Sequence, residues 1–165
     1  MLWAATAVAL AGLAAAPAPQ QLVLRVKDVP SGYRLIASAS GPTGQYVYRA
    51  AFTDGPTTRL SSVAAVYPDA QSADAMVSQP EQNCGKTGTT RKLPVGAPLG
   101  SHALVCASHA KGYDAYAVVW RDGRVFATVA LVGRHGQVSA KLALRLARLQ
   151  QARIADARSA GPPAA

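Results

Sequence analysis

Residues 113–132 read YDAYAVVWRDGRVFATVALV, and this stretch decides the fold. Two runs of β-branched and aromatic residues flank Asp122-Gly123, a dipeptide that favours the positive φ angles of a type I′ hairpin turn. Since both sides of such a hairpin are apolar, we expect it to be central in its sheet and covered on both faces. With Asp122 and Gly123 as the loop, the predicted cross-strand pairs are Trp120 with Val125, Val118 with Ala127, Tyr116 with Val129, Val119 with Phe126 and Ala117 with Thr128.

The segments around this hairpin alternate between apolar and polar residues in the manner of strands. Turn sequences such as Asp54-Gly55-Pro56 separate them. Further strands are predicted over residues 22–26, 34–40, 45–52, 58–67 and 103–108. Together with two helices, this order predicts an α+β fold, in which helices cover an antiparallel sheet.

Two segments have helical periodicity instead. A short middle helix is predicted to begin after an N-cap at Asp69 and to end at Pro80. A long C-terminal helix is predicted over residues 137–155, packed on the sheet. Its expected apolar stripe consists of Val138, Leu142, Leu146, Leu149 and Ile154.

Residues 2–16 form an uninterrupted apolar, alanine-rich run. The run is shorter than the roughly 20 residues of a membrane span but suits the apolar region of a secretory signal. We therefore predict a signal peptide and short linker over residues 1–21, a single domain over 22–156 and a disordered tail over 157–165. Cleavage after Ala14 keeps proline away from the cut, and the other interpretations are a buried N-terminal helix and an uncleaved anchor.

Cys84 and Cys106 are the only two cysteines. An oxidising compartment favours one disulfide between them, and two separate buried thiols are the alternative. The disulfide would pin residues 81–100, whose glycines and prolines predict a long loop. We accordingly expect a secreted or extracytoplasmic protein of the cell envelope.

The chain is basic, with 17 Lys and Arg against 8 Asp and Glu and a formal charge of +9. Because the charges are spread without a dense run or an aromatic-interleaved motif, we expect no nucleic-acid partner. The predicted C-terminal helix carries a possible anion-binding face of Lys141, Arg145 and Arg148, for anionic lipid or wall polymer. A solvated helix surface is the other interpretation of that face.

No catalytic or cofactor motif is found in the sequence. Cys106 and His109 lie three residues apart and would point to opposite faces of a strand, so we expect no metal site. Ser101-His102 lacks a Gly-x-Ser-x-Gly elbow, and the three histidines are expected to be ordinary surface residues. The Gly-Lys-Thr at residues 85–87 lacks the first glycine of a P-loop. We expect that the protein has no cofactor. We also favour a non-enzymatic role over an enzymatic one.

Two stretches resemble known bacterial proteins. Asp28-Val-Pro-Ser-Gly-Tyr33 is similar to the Asp-Leu-Pro-x-Gly-Phe opening of small exported proteins. The Asp-Gly hairpin followed by Leu146-Ala-Arg-Leu-Gln-Gln-Ala-Arg-Ile154 resembles actinobacterial extracytoplasmic sensor domains and small cell-envelope lipoproteins. The resemblance implies a PsbP-like antiparallel sheet with helices and transfers no site residue. This chain has one cysteine pair, where those sensor domains often have two, and no lipidation cysteine.

The preferred hypothesis is an exported, non-enzymatic domain that binds an unidentified ligand or envelope protein. One alternative is a secreted hydrolase with the 81–100 loop and His102 at its mouth. The other is an electrostatic binder of anionic envelope polymers.

Overall fold

The hairpin lies in the middle of a seven-stranded antiparallel sheet. This computed structural model describes residues 17–41 and 47–160. The strands are β1 Arg34–Ser40, β2 Val47–Asp54, β3 Thr58–Val66, β4 Thr90–Leu93, β5 His102–Ala110, β6 Tyr113–Asp122 and β7 Val125–Arg134. The helices are α1 Pro19–Leu22, α2 Ala70–Asn83 and α3 Ala140–Ser159, and Val26–Asp28 forms a single 3-10 turn. The strand order is β1-β2-β3-β7-β6-β5-β4, and the predicted α+β fold is confirmed.

The β6–β7 register differs from the predicted one by two residues. Asp122 pairs with Val125, so that Gly123 and Arg124 form the turn and Trp120 lies opposite Ala127. Gly123 has a φ of 59°, whereas Arg124 is not in the positive-φ region. Glycine at the first central position alone fits a type II′ turn, not the type I′ turn that the sequence suggested. The predicted partners were therefore wrong, but the predicted faces were right, because side chains alternate with a period of two.

Helices cover both faces of the central strands. On one face, Trp120 is fully buried and donates from Nε1 to Gln151 of α3 at 2.7 Å. On the other face, Arg121 donates from Nε to Asp74 of α2 at 2.8 Å. Successive strand residues point to opposite sides, so α3 and α2 sandwich the hairpin. The prediction of a twice-covered central hairpin is confirmed.

The buried side of α3 differs in part from the predicted apolar stripe and consists of Ala143, Leu146, Ala147, Gln150 and Ile154. Leu146 and Ile154 are fully buried as expected, but Leu149 is 41% exposed and Gln150 is fully buried. The Gln150 amide donates to the carbonyl of Val63 at 2.8 Å, and its oxygen accepts from a serine hydroxyl of β3 at 2.7 Å. A buried amide is tolerated because both of its polar atoms are paired. Helix α3 also begins later than predicted, at Ala140 after its N-cap Ser139.

The predicted strand over residues 22–26 is wrong. The chain leaves α1 in an extended conformation, and Leu22 and Leu24 are almost completely buried. The backbone N–H of Leu24 donates to Ser62 Oγ at 3.0 Å, so a side chain takes the place of a strand partner. Pro19 occupies the first turn of α1, where its missing N–H costs no hydrogen bond.

The predicted domain boundaries stay predictions. The apolar residues 2–16 lie outside the described residues. Helix α1 begins at Pro19, inside the span assigned to leader and linker, and α3 continues to Ser159, inside the span assigned to the tail. Among the described helices, none has both the length and the apolar character needed to cross a bilayer.

A disulfide between Cys84 and Cys106 ties the end of α2 to β5. A bond that closes a separation of 22 residues contributes about 3 kcal/mol in the chain-entropy model. Two predictions near this bond were wrong. Pro80 does not end α2, because a proline in the last turn removes only one helical hydrogen bond. The stretch 81–100 is not a continuous loop, because it contains β4, which pairs with β5.

The rotation of α3 about its axis can be tested by making the buried Gln150 apolar and the exposed Leu149 polar. Gln150→Leu is expected to lower the free energy of unfolding by about 1–3 kcal/mol, because the paired groups of β3 become buried without partners. The matched control Leu149→Gln is expected to stay within about 0.5 kcal/mol, because residue 149 faces solvent. Urea denaturation followed by circular dichroism measures both. A larger loss in Leu149→Gln would contradict the observed orientation.

Candidate functional site

Three loops meet at one end of the sheet around an open recess of about 490 Å³. The β2–β3 turn begins after the pair Asp54–Thr58, and β7 ends beside the start of β3. The chain before β1 and the first turn of α3 complete the walls. The lining residues are Pro30, Tyr33, Asp54, Gly55, Pro56, Thr57, Thr58, Gln137 and Leu142. The volume lies in the range of small-molecule sites.

A carboxylate and a phenol face each other in this recess. Asp54 is exposed, and no described residue donates a hydrogen bond to its carboxylate. Burial raises the pKa of Tyr33, and the nearby charge of Asp54 raises it further. Gly32 has a φ of 101°, and a Cβ there would lie 3.2 Å from Asp54 Oδ1. Glycine thus permits both the turn and the close approach of the chain to Asp54.

Gln137 connects the recess to the β7–α3 loop. Its side-chain oxygen accepts from the Thr57 hydroxyl at 3.0 Å and from the Arg134 backbone N–H at 3.1 Å. These bonds hold the β2–β3 turn against the β7–α3 loop. The recess therefore offers hydroxyl groups and one free carboxylate, an arrangement suited to a ligand that donates hydrogen bonds.

The same β7–α3 loop takes part in a cluster of two histidines around one carboxylate. Asp114 Oδ1 accepts from His109 Nδ1 at 2.7 Å and from His135 Nδ1 at 3.0 Å, with Nδ1 protonated in both rings. Its other oxygen accepts from the Gly136 backbone N–H at 3.0 Å. Asp114 is 5% exposed, His109 40% and His135 82%. The Gly136 N–H, then His109 and His135, hold the pKa of Asp114 well below its usual range.

This cluster was not predicted from the sequence. His109 and Asp114 are cross-strand partners around the Lys111-Gly112 turn, and His135 donates its backbone N–H to Gly112 at 2.9 Å. The equal spacing of His109 and Asp114 from that turn was a detectable signal, because directly opposed residues share a face. The spacing of His109 to Cys106, on which the expectation of no metal site was based, does not involve Asp114. The recruitment of His135 from another loop had no local signal.

His102 lies in a different network. Its Nδ1 lies 2.9 Å from Asp74 Oδ1 and its Nε2 lies 3.1 Å from Glu81 Oε2, both carboxylates belonging to α2. Among the described residues no serine hydroxyl reaches this imidazole, and Ser101 Oγ donates to the Arg121 carbonyl instead. The hydrogen bond to Asp74 raises the pKa of His102 most, and Glu81 adds to this rise against the opposing effect of burial. Each of the three histidines is thus paired with a carboxylate, while His109 and His135 lie at the surface as expected.

The predicted anion-binding residues lie on α3. Lys141 and Arg145 are exposed to solvent. Arg148 donates from one guanidinium nitrogen to the Val95 carbonyl at 3.3 Å, so part of its hydrogen-bonding capacity is used within the fold. Their role in anion binding stays a prediction.

The fold is similar to that of the extracellular domain of PknH from Mycobacterium tuberculosis. The two structures have a TM-score of 0.55 with 16% sequence identity, over 86% of this chain and 95% of that domain. No protein-family model and no curated protein sequence matches this chain. At this identity the similarity shows a shared fold. It agrees at that level with the resemblance to actinobacterial extracytoplasmic sensor domains.

The raised pKa of His102 predicts a pH-dependent stability. The contribution of His102 to the free energy of unfolding is fully present below its pKa in the unfolded chain, about 6.5. It is lost as the pH rises through the higher pKa of the folded state. His102→Gln should therefore destabilise the protein below about pH 6.5. The difference in melting temperature between variant and wild type should shrink at higher pH. Thermal melts from about pH 5.5 to about pH 9 measure this difference.

Asp74→Asn is the matched variant for that experiment, because Asp74 is the first cause of the raised pKa. Like His102→Gln, Asp74→Asn should lower the stability mainly at low pH and so reduce its dependence on pH. A difference between wild type and His102→Gln that stays constant across the pH range would contradict the assignment.

Proposed function

We propose that this chain is an extracytoplasmic binding domain of the cell envelope, with its ligand site in the recess beside Tyr33 and Asp54. The observation that carries the proposal is the Asp54 carboxylate, which lies in a concave site with no hydrogen-bond donor from the described residues. The Cys84–Cys106 disulfide and a fold shared with an extracellular domain support the location. The apolar leader predicted from the sequence agrees with it.

The ligand is a small, hydroxyl-bearing molecule that is neutral or cationic. Asp54 accepts hydrogen bonds, whereas Tyr33 and Thr57 carry hydroxyls that donate or accept. Asp54 is the one carboxylate among the lining residues, which include no arginine or lysine. Arg59 lies outside the lining, and its Nη1 donates to the carbonyls of Gly55 and Thr58 at 3.2 and 3.0 Å. A neutral sugar unit of an envelope glycan matches both the chemistry and the volume.

A binding role is favoured over the secreted-hydrolase alternative by the position of His102. Both of its ring nitrogens lie against carboxylates of α2, and within residues 17–41 and 47–160 no serine, threonine or cysteine side chain is hydrogen-bonded to this imidazole. The residue thereby supports the attachment of α2 to the sheet. General-base chemistry requires an imidazole nitrogen within reach of the proton that it removes.

Anionic envelope polymers are a second proposed partner, bound through α3. Lys141 and Arg145 are exposed and lie four residues apart, so they project from one side of the helix. This contact is electrostatic and weakens steeply with salt.

A nuclear magnetic resonance titration with a neutral N-acetylated wall disaccharide tests the recess. We expect shifts of the backbone signals of Gly55, Thr57 and Gln137. Asp54→Asn should weaken binding by roughly tenfold or more, because a hydrogen bond to a charged group contributes about 1.5–3 kcal/mol. The control Asp156→Asn removes an exposed carboxylate from α3 and should bind like wild type.

The same titration with an anionic wall polymer separates the two proposed sites. Shifts confined to Lys141, Arg145 and their neighbours would support the α3 surface. Equal disaccharide affinity in wild type and Asp54→Asn would contradict the recess proposal.

Mass spectrometry of the non-reduced protein from the producing cells tests the location. We expect a mature N-terminus near Ala14 and a mass that lacks the two thiol hydrogens of Cys84 and Cys106. The cytosolic fraction of the same culture is the control. A full-length, reduced protein confined to the cytosol would contradict export.

A further inference from the structure

We propose that His109, Asp114 and His135 bind one divalent transition-metal ion, with Zn²⁺ as the best match. The proposal is independent of the ligand in the neighbouring recess. The ligand atoms are one nitrogen of each imidazole and one carboxylate oxygen, and all three lie within 4.8 Å of one another. Two imidazoles and a carboxylate, completed by water, are a common donor set for zinc.

The separations leave room for the ion after a small movement of the rings. The two Nδ1 atoms lie 2.7 and 3.0 Å from Asp114 Oδ1. Tetrahedral zinc with bonds of about 2.0–2.2 Å separates its ligands by roughly 3.3 Å, so each imidazole retreats by about half an ångström. His135 is 82% exposed, so its ring can make most of this movement. His109 is 40% exposed, and its ring packs edge-on against Tyr116 with the centroids 6.1 Å apart.

The protonation states needed for metal binding are available. The Nε2 atoms of His109 and His135 have no hydrogen-bond partner among the described residues. Each ring can therefore carry its proton on Nε2, towards water, and present the Nδ1 lone pair to the ion. In each neutral ring the proton that now points from Nδ1 at Asp114 Oδ1 moves through water to Nε2, with no net release, and the ion takes its place between Nδ1 and Oδ1.

The surroundings orient the carboxylate for a single metal bond. The Gly136 backbone N–H holds Asp114 Oδ2 at 3.0 Å, which leaves Oδ1 directed at both imidazoles. Outer hydrogen bonds of this kind fix ligand geometry in known metal sites. Asp114 is itself 5% exposed, so that its position is set by the fold.

The donor set also selects the class of ion. Mg²⁺ and Ca²⁺ prefer oxygen ligands, and two of these three ligand atoms are nitrogen. Imidazole suits zinc, copper, nickel and iron. Zn²⁺ has no geometric preference from its d-electrons, so water can complete its coordination. It also undergoes no redox change, which suits the oxidising compartment proposed above.

The three ligands come from β5, from β6 and from the β7–α3 loop. A bound ion therefore joins three segments that are otherwise held by hydrogen bonds. It should raise the melting temperature, because an ion that binds only the folded state stabilises that state.

Isothermal titration calorimetry of the chelator-treated full chain with Zn²⁺ tests the site, at a pH of about 7.5, where free imidazole is neutral. We expect one ion per chain and a rise in melting temperature, with no effect of Mg²⁺. His135→Asn should weaken Zn²⁺ binding by more than about 100-fold, since loss of even an outer partner costs 10–100-fold. Residue 135 is exposed, so this variant is expected to fold.

His102→Gln is the matched control, because it removes the third histidine and leaves the cluster intact. Its Zn²⁺ affinity should equal that of wild type. The proposal is overturned if wild type shows no saturable binding of one ion, if His135→Asn binds as tightly as wild type, or if His102→Gln loses the same affinity.

Discussion

The packing of α3 against the apolar face of β3, β7 and β6 is the contact on which the rest of this structure depends. Trp120 and Leu146 are fully buried in it, and Gln150 joins it by hydrogen bonds to β3. Burial of large apolar side chains drives the packing, whereas the paired amide sets the rotation of the helix. Because α1 packs on the same helix, the N-terminal part of the domain is positioned by α3 as well.

The two stretches that resemble exported bacterial proteins meet in space. Arg153 of α3 donates from Nε to Asp28 at 2.8 Å, and Arg153 Nη2 lies 2.7 Å from the same oxygen. Both side chains are largely buried, so the charges need each other. This ion pair anchors the chain just before Pro30 and Tyr33, which line the recess. The Arg153–Asp28 ion pair thus connects α3 to the proposed ligand site.

Both proposed sites lie where strands end and loops begin. The recess and the histidine cluster share the β7–α3 loop, with Gln137 in the first and His135 and Gly136 in the second. A rigid sheet positions these loops, while the loops themselves carry the polar groups. On the sheet face that α2 covers, the contact of His102 with Asp74 and the Cys84–Cys106 disulfide attach α2 to the sheet.

The sequence by itself indicated six of the seven strands, the central hairpin and the N-cap at Asp69, because periodicity and turn residues are local signals. It missed β4 and only favoured the disulfide. It did not determine that Gln150, not Leu149, would be buried, since that choice depends on partners in β3. Only the tertiary structure placed His135 beside Asp114 and Tyr33 beside Asp54, because residues far apart in the chain meet there. The physical reason is that local patterns specify which elements form, whereas long-range packing decides which side chains meet.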